Sequence, residues 1–234
     1  MNQQIFPRIF PLGEGALTIE FGSEISIELN SRVLKLARFF DQNRFEGFVE
    51  IVPAYASLTV FYDVVKVKKS RADFPTAFET VKNFVEKASE NLDELTPNDF
   101  RVVEIPICFE AEFAPDLEFV AALNNLSTDE VVKIFLGATY QVFMLGFLPG
   151  FAYMGEIDAR IAAPRKQNPR RQVPPGSVGI AGRQTGIYPL ASPGGWQMIG
   201  KTALELFTPQ AANPTFLQVG DAVKFYQAGK EIFL

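Results

Sequence analysis

The sequence predicts an α+β protein of two domains: a small α/β layer over residues 1–95 and a β-barrel or sandwich over residues 96–234. Three observations carry this reading. Before residue 90, period-two alternation and helical spacing of apolar residues take turns along the chain. Residues 91–99 (NLDELTPND) are polar, contain Pro97 and read as a linker. Across residues 146–201, Gly and Pro recur every few residues, and the apolar segments between them are too short for helices.

In the first domain, Leu17, Ile19 and Phe21 face one way and Thr18 and Glu20 the other, which predicts a half-buried strand over 16–21. Ile25, Leu29, Val33, Leu36 and Phe40 then recur at helical spacing, with Ser26 and Glu28 suited to the helix start. Residues 57–62 alternate again through Leu58, Val60 and Tyr62. Asp73 offers an N-cap for a second helix, with Pro75 in its first turn and an apolar stripe of Phe78, Val81, Val85 and Ala88.

In the second domain, residues 101–109 alternate as a strand through Val103, Ile105, Ile107 and Phe109. Pro106 falls on the opposite parity and points to a sheet edge. A short helix is expected over 115–123. Ser127 and Glu130 form a capping box opening a further helix through Leu136, which Gly137 ends. The nearly all-apolar segment 140–147 reads as a buried strand. Short strands are expected over 178–181, 196–199 and 204–207. A turn at Gly220 and Asp221 between 216–219 and 222–226 predicts a closing hairpin.

Composition narrows the chemistry. The chain has 234 residues, 47% apolar and 21% charged, an ordinary globular composition long enough to bury a core without disulfide or metal. Its 22 basic and 27 acidic side chains leave a net charge of −5, which weighs against a general nucleic-acid binder. It contains no histidine, so a Ser-His-Asp or Cys-His device and every His-bearing metal site are excluded within the chain. The one cysteine, Cys108, forms no internal disulfide and has no histidine to activate it. No metal site is expected. Residues 1–11 lack a charged segment followed by an apolar core, so no signal peptide is expected. No apolar run reaches the roughly 18 residues of a membrane helix. A cytoplasmic protein with no membrane or nucleic-acid partner is the resulting expectation.

Four segments are candidates for function. The run 146–155 (GFLPGFAYMG) sets Phe147, Pro149 and Phe151 among glycines, as the rigid apolar wall of a pocket or as packing aromatics. Arg160, Arg165, Lys166, Arg170 and Arg171 fall within twelve residues, with no acid among them from Ile161 onward. Such forks suit a carboxylate, a phosphate or an acidic partner, and a solvated loop is the plainer alternative. Residues 174–189 place Arg183, Gln184, Thr185 and Tyr188 between glycines: a cation, an amide, a hydroxyl and a phenol suited to a small polar amide or carboxylate. The sole tryptophan, Trp196, follows the turn Ser192-Pro193-Gly194-Gly195 and is read as a core anchor. Residues 194–202 match the P-loop pattern formally. The bulky Trp196, Gln197, Met198 and Ile199 read as strand, which removes the wrapped turn and following helix a phosphate loop needs. The carboxylate pairs Asp116 with Glu118 and Glu110 with Glu112 carry no distinguishing context.

The ordered blocks GFLPGFAYMG (146–155), Ala163-Pro164-Arg165, Val173-Pro174, PGSVGIAG (175–182), QTGIYP (184–189) and SPGGWQMIGKT (192–202) closely resemble the KipI family, also called allophanate hydrolase subunit 1 or the B subunit of 5-oxoprolinase. The resemblance is weaker before residue 100. It implies that the second domain is a cyclophilin-like β-barrel behind a small α/β domain. It implies partners, a KipA-type C subunit and an A subunit, and the three together open 5-oxoproline to glutamate at the expense of ATP. A related sequence in the carboxyltransferase region of urea carboxylase shares the theme of a small amide or lactam substrate. ATP is then expected at the level of the complex and not tightly bound by this chain, which is expected to be inactive alone.

On this resemblance Arg183, Gln184, Thr185 and Tyr188 are expected to contact substrate or interface, with Phe147, Pro149 and Phe151 as the apolar wall. Arg165, Lys166, Arg170 and Arg171 are expected to contact an anion or a partner. Many relatives carry histidines near the positions held here by Leu123 and Gly137, where this sequence departs from the pattern. A second implied function is that of KipI itself, which binds a sensor histidine kinase and blocks its autophosphorylation. Proline isomerisation, suggested by the fold alone, lacks the histidine of a cyclophilin site.

Overall fold

Alternating apolar residues in the first half of the chain build a sheet, and the helical stripes cover one of its faces. A computed structural model describes residues 7–70, 74–90 and 101–233. Asp73 and the 91–99 linker, with the expected boundary at 95/96, lie outside the described residues. The chain separates into two compact units, Met1–Asp99 and Phe100–Leu234.

The first unit holds strands β1 (Arg8–Pro11), β2 (Ala16–Glu20), β3 (Phe48–Pro53) and β4 (Ser57–Tyr62), arranged β1-β2-β4-β3 and antiparallel throughout. Its helices are α1 (Ile27–Gln42), α2 (Val64–Ser70) and α3 (Ala77–Glu90). Leu17, Ile19, Leu58 and Val60 bury against Val33, Leu36, Phe40, Val81 and Val85 from α1 and α3. Ser26 caps α1 as expected, its hydroxyl accepting from the Leu29 N–H at 3.4 Å. At the start of α3 the capping hydroxyl belongs to Thr76, which accepts from the Glu79 N–H at 3.1 Å. Strands β1 and β3 and helix α2 were not legible in the sequence. Each is short or mostly exposed, so its apolar pattern is weak.

The second unit begins with β5 (Val102–Ile107), α4 (Leu117–Leu123) and α5 (Thr128–Leu136). The Ser127–Glu130 capping box is present in full, and the Gly137 N–H ends α5 on the Lys133 carbonyl. Strands β6 (Thr139–Leu145), β7 (Ala152–Gly155), β8 (Arg170–Val173), β9 (Ser177–Ala181), β10 (Gln184–Ile187), β11 (Ser192–Gly194), β12 (Gln197–Lys201) and β13 (Ala222–Gln227) follow. Seven strands form one sheet in the order β12-β9-β10-β7-β6-β13-β5. Its two ends meet just past β5: the Cys108 N–H donates to the Lys201 carbonyl at 2.8 Å, and the Lys201 N–H returns to the Cys108 carbonyl at 3.0 Å. The sheet thereby curls into a barrel, with Ile105, Val142, Met154, Ile180, Ile187, Ile199 and Phe225 inside and α4 and α5 packed on the same core. Strands β8 and β11 pair separately as a two-stranded flap.

Two sequence expectations are corrected. Residues 204–207 form no strand; Phe207 makes one isolated bridge to Thr215. The expected closing hairpin is absent, because the Gly220 N–H turns instead to the Val142 carbonyl and Asp221 is taken by Arg101 and the Gln218 N–H. Strand β13 then enters between β5, parallel, and β6, antiparallel. A strand with a neighbour on each side from elsewhere in the chain has no free edge for residues 216–219.

The turn into β9 depends on Gly176, which has φ +80° and lies against the Thr202 carbonyl, where a Cβ would have no room. Gly176→Ala is expected to cost about 3 kcal/mol in chemical unfolding, from strain and collision together. An unchanged unfolding midpoint would contradict this account of the turn.

Candidate functional site

The outer face of the β7–β10–β9–β12 wall carries a second apolar cluster. Along β7, Ala152 and Met154 point into the barrel, so Phe151 and Tyr153 point out. The same alternation places Ala181 and Met198 outward, where they meet Val173, Tyr188 and Trp196. Gly186 makes the packing close: a Cβ there would come within 2.9 Å of the Phe151 ring. Phe151 packs edge-on against Tyr188 at 5.2 Å and Trp196 at 5.5 Å. These three rings are buried, and their packing interactions are worth about 0.5–1.5 kcal/mol per pair beyond area burial.

Phe147 is different. It is 61% exposed and holds φ +68°, a left-handed backbone that costs a bulky residue about 1–2 kcal/mol. Its ring stands edge-on to Phe151 at 5.6 Å and Tyr188 at 6.4 Å. Of the expected apolar wall, Phe147 and Pro149 therefore lie at the surface and Phe151 lies beneath.

The cation cluster is organised by an acid that sequence reasoning passed over. Asp116, immediately before α4 and 4% exposed, accepts from Lys166 Nζ at 2.9 Å and Arg170 Nη2 at 2.8 Å through Oδ1. Its Oδ2 accepts from the Met198 N–H at 2.7 Å, and its own N–H donates to the Met198 carbonyl at 2.9 Å. Burial pushes the Asp116 carboxyl up, but the hydrogen bonds from Arg170, Lys166 and Met198 outweigh it and hold the group below its ordinary value. At this position an Asp would ordinarily cap α4; it makes no side-chain cap bond because both oxygens are engaged elsewhere. No local signal marks it, since its partners lie 50 and 54 residues away.

Arg165 stands apart from that network, its guanidinium over the Trp196 ring at 5.8 Å. Arg171 is exposed, and Arg160 is engaged by Asp158, whose carboxyl the Arg160 hydrogen bond holds down at about 2. Burial raises the Tyr188 phenol above its ordinary value, while the nearby Arg165 charge draws it back. Beside Arg165 and Lys166 opens a hollow of about 410 Å³, lined also by Phe119, Pro164, Asn168 and Gln197. Gln197 is 2% exposed; its Nε2 donates to the Pro164 carbonyl at 2.8 Å, and its Oε1 has no donor among the described residues. A buried acceptor left so costs about 1–3 kcal/mol.

The segment 183–188 does not present one surface. Arg183 is exposed and paired with Glu156 at 2.5 Å. Gln184 is half-buried in β10, and Thr185 is fully buried with its hydroxyl donating to the Gly179 carbonyl at 3.0 Å. Tyr188 lies in the aromatic cluster, close to Phe147. Leu123 and Gly137 both sit at helix ends. The backbone of 197–201 is spent on the β9 ladder, which leaves no phosphate-wrapping loop there.

Comparison with known proteins gives three findings. Residues 7–217 match the family described as carboxyltransferase domain, subdomain C and D. Over 225 residues the chain is 48% identical to the 5-oxoprolinase B subunit of Bacillus subtilis, covering 96% of this chain and 94% of that one, and it is 38% identical to that of Escherichia coli O157:H7 over 93% of this chain and 94% of that one. The solved structure of TTHA0988 superimposes with a TM-score of 0.77 at 34% identity over 93% of this chain, which spans 40% of that protein.

Removing the Asp116 charge tests the cation network. Because the folded value is lowered, its contribution is full above the ordinary carboxylate value of about 4 and is lost as pH falls through the folded value. Asp116→Asn is expected to lose about 2–3 kcal/mol at neutral pH, less than a fully buried pair because both cations are partly exposed, and to flatten the acid limb of the unfolding curve. Urea unfolding across acidic pH reads both effects.

Proposed function

The chain belongs to the family of 5-oxoprolinase B subunits, and from that premise we propose that it is a non-autonomous component of a cytoplasmic, ATP-dependent 5-oxoprolinase that opens 5-oxoproline to L-glutamate. The observation that carries this reading is 48% identity sustained over 96% of the chain and 94% of its relative, a likeness that spans both of its compact units. Its partners are an A subunit and a KipA-type C subunit.

The reaction adds water across the lactam C–N bond: the carbonyl carbon becomes a carboxylate and the ring nitrogen leaves as an amine. ATP supplies the driving force by activating the lactam oxygen. With no histidine and no phosphate-wrapping loop in residues 194–202, the role that fits this chain is to bind and orient the lactam, leaving ATP to the other subunits. Phe147, Pro149 and Tyr188 offer the apolar wall and phenol. Gln184 offers an amide, and Arg183, paired with Glu156, stands at the edge. Arg165, Lys166, Arg170 and Arg171 supply the positive field for a carboxylate or for a partner protein.

The direct test is 5-oxoproline-dependent ATP hydrolysis by the co-purified subunits, with each omitted in turn. Hydrolysis that requires this chain is expected. A stable complex without it would move the reading to another amide substrate. Within an active complex, Phe147→Gly is expected to lower turnover about tenfold while changing stability by less than about 1 kcal/mol, since relieved backbone strain offsets lost ring contacts. Turnover equal to wild type would remove Phe147 from the site.

A further inference from the structure

We propose that the hollow between α4 and the 164–168 loop is a subsite for a small carboxylate that also bears an N–H group, with Arg165 taking the carboxylate and Gln197 the N–H. This rests on the oxoprolinase reading and deepens it by assigning which residues hold the substrate.

The charge balance comes first. Lys166 and Arg170 share one carboxylate, Asp116, and Arg165, next to Lys166 in the chain, pairs with no acid among the described residues, so these three cations carry a surplus of two positive charges. No acidic side chain lines the hollow. Arg165 makes no ion pair among the described residues, and its guanidinium lies over the Trp196 ring at 5.8 Å, so its N–H fork has its hydrogen bonds to give. Lys166, tied to Asp116, adds field without freedom of movement.

Gln197 supplies selectivity. Its amide cannot be turned around, because a carbonyl acceptor, Pro164, fixes the nitrogen end at 2.8 Å. That leaves Oε1, a pure acceptor, without a donor in a side chain that lines the hollow and is 2% exposed. An inorganic anion or a simple carboxylate brings no donor to it. A ring amide with a carboxylate on the adjacent carbon brings both groups at once. Met198, held to Asp116 through two hydrogen bonds of its backbone, fixes the strand that carries Gln197. A volume of about 410 Å³ falls within the range of small-molecule sites.

The experiment measures the affinity of the assembled complex for 5-oxoproline and for its lactone isostere, 5-oxotetrahydrofuran-2-carboxylate, in which oxygen replaces the ring N–H. The wild-type complex is expected to prefer the lactam by about tenfold, the loss of one hydrogen bond. Gln197→Met is expected to abolish the preference. Arg165→Gln, at an exposed position where folding is not at stake, is expected to weaken both ligands by about tenfold and keep the preference. Equal binding of lactam and lactone by wild type, or both variants binding as wild type in a complex that still hydrolyses ATP on 5-oxoproline, would overturn the subsite and leave the functional reading standing. A complex without 5-oxoproline-dependent hydrolysis would instead overturn the functional reading, and the subsite with it.

Discussion

Two backbone hydrogen bonds between Cys108 and Lys201 decide what the second unit is. Without them the seven strands are an open sheet with two free edges; with them β5 meets β12 and the wall has an inside and an outside. Every strand then sorts its residues by parity. Ile180, Ile187 and Ile199 fill the interior, and Phe151, Ala181 and Met198 form a second cluster on the outside. The aromatic surface exists because the barrel closes, and the flap of β8 and β11 brings Val173 onto it.

Asp116 fastens that outer surface to the helices. One carboxylate joins the entry of α4 to the 164–168 loop, to β8 through Arg170 and to β12 through Met198. The five-cation segment, read from sequence as a contact for an anion or a partner or as a solvated loop, is thus divided. Lys166 and Arg170 serve structure, Arg160 is engaged by Asp158, and Arg165 stays available over Trp196. A buried carboxylate between two cations gives rigidity more than stability. Rigidity is what a positioning subunit needs, since misplacing a bound ring by a fraction of its width removes most of the advantage of binding it.

What was legible in the sequence is what depends on neighbours a few residues away. Ser26 and the Ser127–Glu130 box act over three positions, and both caps are where the sequence places them. Alternation at 16–21 and 101–109 reports burial on one face and needs no knowledge of the partner strand. The closure at Cys108 and Lys201, the meeting of Asp116 with Lys166 and Arg170, and the orphaned oxygen of Gln197 each join segments far apart in the chain, and no local pattern announces them. The failed hairpin makes the same point: Gly220 and Asp221 do form a turn, but Arg101 and Val142 decide where the strand after it goes. Thr185 was visible as a hydroxyl between glycines, and only the β9 pairing reveals that its bond is spent on Gly179.

The central claim is that this chain holds the small lactam in the hollow between α4 and the 164–168 loop. A crystal structure of the assembled complex with 5-oxoproline tests it most directly. The account predicts the ligand in that hollow, its carboxylate on Arg165 and its ring N–H on Gln197. A ligand enclosed by the other subunits, touching none of these residues, would contradict it.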